Sequence, residues 1–144
     1  MTDTVTDGAQ GPTTGLTPHL QIGDARASEA IAFYTAAFGA VEQRRMLADD
    51  GKRLMHAHLI INGASLMLHD EFPEYVDPAE ADGGPPRGIT LHLQVDDADA
   101  WFARAVAAGA RVTMPLSDQF WGDRYAQVAD PFGHRWSIGA PIKG

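Results

Sequence analysis

Thr17-Pro18-His19-Leu20-Gln21-Ile22-Gly23-Asp24 returns later in the chain as Thr90-Leu91-His92-Leu93-Gln94-Val95-Asp96-Asp97, so that Thr, His, Leu, Gln, a β-branched residue and Asp recur at a fixed offset of 73. Both copies alternate apolar and polar side chains, the period of a half-buried strand. Each is followed by a helical pattern that stops at a glycine. After the first copy, Ala30, Phe33, Tyr34, Ala37 and Phe38 share one face of a helix over Ala27–Phe38, and Gly39 supplies the stop. After the second, a helix over Asp97–Ala108 carries Ala98, Trp101, Phe102 and Ala105 on its buried side and ends at Gly109. The two stop glycines are 70 apart, so the second copy is three residues shorter through its helix.

Working outward, Val41–Leu47 and Arg53–Ile61 read as strands joined by the hairpin turn Asp49-Asp50-Gly51, and Asn62-Gly63 turns the chain into a strand over Ser65–His69. In the second copy the strands fall at Ile89–Val95, Arg111–Met114, Arg124–Val128 and His134–Ile138. The repeat therefore predicts two βαβββ modules, about 16–70 and about 89–140, joined by a linker over 71–88. The fold class is α+β: two modules forming a curved, half-open mixed sheet around a central cavity, with the helices outside. Leu20, Ile22, Leu91, Leu93 and Val95 direct one strand face at the helices, which turns His19 and His92 inward.

A chain of 144 residues is expected to form one domain, here 16–144. Its 11 Lys+Arg against 19 Asp+Glu give a formal net charge of -8, a poor field for nucleic acid or anionic membrane. There is no cysteine, which excludes disulfides, thiolate metal sites and a Cys nucleophile. A metal would have to be held by His, Asp or Glu, so the six histidines matter most. Met1–Gly15 lacks the basic start and apolar run of a signal peptide and reads as a disordered leader. With no membrane-length apolar run, a cytoplasmic protein is expected. The linker holds Pro73, Pro78, Gly83, Gly84, Pro85 and Pro86, and six acids lie between Asp70 and Asp82. It is read as a solvated connector, with a pocket lid as the alternative.

Over about residues 16–140 the chain resembles the vicinal-oxygen-chelate superfamily of glyoxalase I, bleomycin-resistance proteins and extradiol dioxygenases. The paired βαβββ pattern, Ala32-Phe33-Tyr34 running into Phe38-Gly39-Ala40, and Asp130-Pro131-Phe132-Gly133-His134 carry the resemblance. Val112-Thr113-Met114-Pro115-Leu116, Phe120-Trp121-Gly122-Asp123-Arg124-Tyr125, Leu54-Met55-His56-Ala57 and Leu66-Met67-Leu68-His69-Asp70 are similar to its PhnB-like branch. The resemblance implies a divalent metal held by His, Glu or Gln from the first and last strands of each module, stabilising an oxyanion or activating oxygen. Those positions fall here on Thr17, Met67, Thr90 and Ser137. None is a good metal ligand, so no cofactor is expected, as in the superfamily's drug-binding members.

His19, His69 and His92 each lie two residues beyond one of those positions and could form a displaced three-histidine metal site; as polar pocket lining they would need no metal. His56 and His58 share a strand face, and His56 stands where the family has a His. His134 reads as a strand-entry residue. Phe120, Trp121 and Tyr125 around Arg124 would suit a planar or anionic small molecule; alternatively the aromatics pack, and Arg124 pairs with Asp123 or Asp130. Trp101 and Trp136 are expected in the core. Asp70 could serve as a base only if it faced the pocket, which a regular strand denies it if His69 does.

The leading expectation is a homodimeric small-molecule-binding protein whose pocket is lined by His19, His56, His69, His92, Trp121 and Arg124. A metal-dependent lyase, isomerase or dioxygenase using the displaced histidines is the alternative. A structural or regulatory dimer is the third.

Overall fold

The computed structural model describes residues 3–5 (backbone only), 11–75 and 88–143. In chain order the elements are β1 (Asp3–Val5), β2 (His19–Ile22), α1 (Ala27–Phe38), β3 (Val41–Leu47), β4 (Leu54–Ile61), β5 (Ala64–Asp70), β6 (Leu91–Gln94), α2 (Ala98–Ala108), β7 (Arg111–Asp118), β8 (Asp123–Ala129) and β9 (Arg135–Pro141). The β-α-β-β-β succession occurs twice, as the repeat requires.

The strands form two open mixed sheets, ordered β1-β3-β4-β5-β2 and β6-β9-β8-β7, where the sequence reading has one. Module one's β3-β4-β5-β2 matches module two's β7-β8-β9-β6 strand for strand. In each, the first strand lies parallel to the last, His19 facing Met67 and His92 facing Ser137, and the other pairs are antiparallel. The chain divides into two compact units, 1–35 with 39–81 and 36–38 with 82–144.

The leader expectation is modified at Asp3–Val5, which pairs antiparallel with β3 as the edge strand β1. Thr4 and Val5 are β-branched, and β3 offers them an unpaired ladder edge. The rest of the leader up to residue 10, and linker residues 76–87, lie outside the described residues. Before them, Pro73–Tyr75 makes one 3₁₀ turn.

Helix α1 buries the five residues expected of it, Ala30, Phe33, Tyr34, Ala37 and Phe38, and Gly39 closes it at φ 68°. Its start is unusual, because the residue at the N-cap position, Arg26, makes no side-chain cap. Instead Asp70, at the end of β5, accepts from Ala27 N at 2.8 Å, and its second oxygen accepts from Leu54 N at 2.7 Å. Asp70 is fully buried on the helix side of the sheet, so it is no base in a pocket. In module two the helix supplies its own cap, Asp97 Oδ1 accepting from Ala100 N at 3.1 Å. Two extra residues, Ala25-Arg26, separate the equivalent Asp24 from α1.

Strand β7 runs four residues past the expected Met114, through Pro115. As the sheet's edge strand it tolerates a residue without an N–H. Trp136 is core, as expected; its Nε1 donates to Asp130 Oδ2 at 2.9 Å and its ring meets Phe38 at 4.6 Å between centroids. Trp101 is only half-buried, because α2 is the more exposed helix: among its residues only Ala98 and Ala105 are buried. Among the described residues no helix is long and apolar enough to cross a membrane.

Candidate functional site

Leu20, Ile22, Ala57, Leu59, Leu66 and Leu68 are buried on the helix side of module one's sheet. Strand alternation then puts His19, Gln21, His56, His58, Ser65, Met67 and His69 on the other side. The registers agree, since His19 faces Met67, Gln21 faces His69 and His58 faces Met67. The His19 ring packs edge to face on His69 at 4.9 Å and on His56 at 6.2 Å. His58 is buried, with Nε2 at 2.8 Å from Ser65 Oγ. His69 Nδ1 lies 2.7 Å from the Asp70 carbonyl, which can only accept, so Nδ1 carries a proton and donates.

Burial, with His69 nearby, lowers the pKa of His19. Burial also lowers that of His56, helped by the positive charge that His19, Arg44, His58 and His69 can hold. Near neutral pH both rings are therefore uncharged, able to donate at one nitrogen and accept at the other.

Arg44 is a site residue that sequence reading missed. Counting outward from Leu47 opposite Leu54 would bring Gln43 and Arg45 to the histidine side. The register shift between Leu47 and Met46, where β4 carries the extra residue Met55, overturns that count, setting Met46 opposite His56 and Arg44 opposite His58. A one-residue slip exchanges the faces of a strand. Arg45 accordingly turns to the helix side, holding Glu42 at 2.7 Å and Ser28 Oγ at 3.3 Å. The Nε of Arg44 is buried without a hydrogen-bond partner among the described residues, and its Nη2 meets Met46 Sδ at 3.6 Å.

The matching side of module two is built differently. His92 Nε2 lies 2.8 Å from Gln94 Oε1 and Nδ1 2.7 Å from Ser137 Oγ. With the amide oxygen accepting, Nε2 carries the proton and Nδ1 accepts from the serine. The ring stacks on Tyr125 at 6.0 Å, and Trp121, half-exposed, meets Tyr125 edge to face at 5.4 Å. Arg124 does not share this side. It pairs with Ala140 of β9, one residue out of phase with Tyr125 and Gly139. There it forms ion pairs with Asp99 at 3.0 Å and Asp118 at 3.1 Å, not with Asp123 or Asp130. Its charge is thus answered from α2 and β7. His134 is buried just before β9, its Nδ1 3.7 Å from Asp130 Oδ2.

The positions that the superfamily's metal would use carry two threonine hydroxyls, a thioether and the Ser137 hydroxyl already bonded to His92. These donors do not fit a resident divalent ion. Nor do the described residues include a group of three His, Asp or Glu placed to hold a metal, displaced histidines included.

Residues 17–138 match the model of the glyoxalase/bleomycin resistance protein/dioxygenase superfamily. An uncharacterized protein of Mycobacterium tuberculosis is 50% identical over 133 residues, which span 89% of this chain and 75% of that protein. Among solved structures, protein PA1353 from Pseudomonas aeruginosa is similar at TM-score 0.72 and 25% identity, over 91% of this chain and all of its own (100%). A PhnB protein from Bacillus cereus shares the fold at TM-score 0.68 and 21% identity, over 88% of this chain and 99% of its own.

Proposed function

This chain belongs to the glyoxalase/bleomycin resistance protein/dioxygenase superfamily, and from that premise we propose that it is a small-molecule-binding protein that works without the superfamily's metal. The observation that carries the reading is the imidazole cluster of His19, His56 and His69 on the side of the sheet turned away from α1. Three polar rings, two of them held neutral, form a surface rich in adaptable donors and acceptors. The helix side, by contrast, is filled with buried aliphatic residues. Module two carries, on its own sheet, the polar set of His92, Gln94, Tyr125 and Trp121. Arg124 is left out of the ligand set, because both its carboxylate partners lie on other elements of the helix side.

The sequence motifs around Phe120–Tyr125, together with the Bacillus cereus neighbour, favour a place in the PhnB-like branch. We further propose a cytoplasmic homodimer; light scattering on the purified protein tests the dimer.

The reading is tested by thermal denaturation of metal-free protein against a small-molecule collection. A ligand at a hundred times its Kd adds about 2.7 kcal/mol to the folded state, which is several degrees in Tm. A saturable rise that is lost in His19→Ala or His56→Ala supports the proposal. No stabilisation by any compound would overturn it in favour of a structural role.

A further inference from the structure

We propose that Arg44 and the imidazoles beside it form an oxyanion subsite, so that the ligand is a small organic acid bearing a carboxylate or a phosphonate. This rests on the reading that module one's histidine side binds a small molecule. A guanidinium has five donors and no acceptor, and it stays charged at any physiological pH. Arg26, Arg45, Arg53 and Arg124 each hold a carboxylate: Glu29, Glu42, Asp50 with Glu74, and Asp99 with Asp118. Among residues whose side chains are described, Arg44 holds none, and its one polar contact is a weak thioether acceptor. A buried charged donor left without an acceptor is a costly arrangement for a fold to keep.

The second module argues that the sheet itself does not need this cation. Register equates Arg44 with Met114, since the first faces His58 and the second faces Gln127, while His58 and Gln127 face the equivalent Met67 and Ser137. By the same counting Gly139 stands where module one has His69. Two sheets of one topology thus carry a cation opposite a histidine in one case, and a thioether opposite a glutamine in the other. The cation is particular to module one's sheet, where an acidic ligand would need it. A carboxylate or phosphonate would accept from the Arg44 fork, and neutral His19 and His56 can each turn an N–H towards the remaining oxygens.

The backbone sets Val5 of β1 opposite Arg44 and Asp3 opposite Met46, so Asp3→Asn is included as a control. The experiment follows histidine ring resonances of the full chain by NMR at constant ionic strength. The probes are propionate with its neutral analogue propionamide, and methylphosphonate with the neutral dimethyl sulfone; the two acids separate a planar carboxylate from a tetrahedral phosphonate. At least one acid is expected to shift the His19 and His56 signals saturably, binding at least tenfold more tightly than its neutral analogue. Arg44→Met, the residue that module two carries, should weaken that acid at least tenfold, and Asp3→Asn should leave it within twofold. Should Arg44→Met fail to fold, the acid-against-analogue comparison in the wild type decides. Equal binding of acids and analogues overturns the proposal, as does an unweakened Arg44→Met or a tenfold gain in Asp3→Asn. Neutral compounds that move the same rings as strongly as the acids would refute the oxyanion subsite while leaving the binding surface intact. If no compound moves them, both fall.

Discussion

Replacing Asp70 should damage the fold of module one more than any surface change near the histidines. Its two oxygens accept from Ala27 N at 2.8 Å and Leu54 N at 2.7 Å, so one side chain ties the start of α1 to the start of β4. The residue has no exposed surface, and water does not replace it readily. In Asp70→Asn the amide keeps one acceptor and turns an N–H towards the other donor. One buried N–H then loses its partner, at about 1–3 kcal/mol, and α1 loses favourable charge near its positive end, about 0.3–1 kcal/mol. The sum is about 2–3 kcal/mol, or roughly 6–10 °C in Tm for a chain of this size. In Asp70→Ala both N–H groups are orphaned, and the loss rises to about 4 kcal/mol. Urea denaturation of the three proteins, followed by far-ultraviolet circular dichroism, reads these differences as shifts in midpoint at constant slope. Module two is the control. Its helix is capped by its own Asp97 through one exposed bond to Ala100 N, so Asp97→Ala should cost only about 1 kcal/mol. If Asp70→Asn lay within about 0.5 kcal/mol of the wild type, the background of ordinary surface substitutions, the cross-tie would not be holding α1 and the reasoning would fail.

Other outcomes follow from the same geometry. His19 and His56 have folded-state pKa values below the ordinary 6.5, so the unfolded chain takes up their protons first; the stability they contribute is full above about pH 6.5 and is lost as pH falls through the lowered values. Melting curves should therefore be flat near pH 7–8 and fall on acidification, with a shallower fall in a His19→Asn, His56→Asn double variant. Asp130 accepts from Phe132 N, His134 N and the Trp136 indole at 2.9, 3.0 and 2.9 Å; Asp130→Asn should lose about 2 kcal/mol and shift the tryptophan emission, which fluorescence-detected denaturation measures. A Cβ on Gly139 would come within 3.0 Å of His92 Cε1 and 3.4 Å of Gln94 Oε1. Both neighbours are side chains that can give way, so Gly139→Ala should keep the fold, break the His92–Gln94 bond and cost about 1 kcal/mol, seen as a moved His92 ring signal.

The βαβββ duplication was legible because period-2 and period-3.6 patterns recur at one offset, and alternation in β2 and β6 correctly separated the helix-facing leucines from His19 and His92. What local pattern could not supply was register. Val41–Leu47 shows no alternation, since six of its seven residues are half-buried, and the register shift between Met46 and Leu47 decides that Arg44 rather than Arg45 joins the histidines. The ion-pair partners of Arg124 were hidden for a related reason. It sits among aromatic residues in the chain, yet it lies out of phase with Tyr125 and finds Asp99 across the helix side, a partner 25 residues away. Asp70 likewise caps a helix that begins 43 residues before it. Contacts of that span become visible only once the strands are paired.

Metal analysis of untagged protein, followed by titration with nickel, cobalt and zinc, tests the central claim most directly. Thr17, Met67, Thr90 and Ser137 offer no charged or imidazole donor, so the account expects substoichiometric metal as purified, no saturable site at one ion per chain, and ligand binding that persists in chelator. A stoichiometric ion that is lost in a His19→Ala, His92→Ala double variant would contradict it and make the chain a metalloprotein built on displaced histidines.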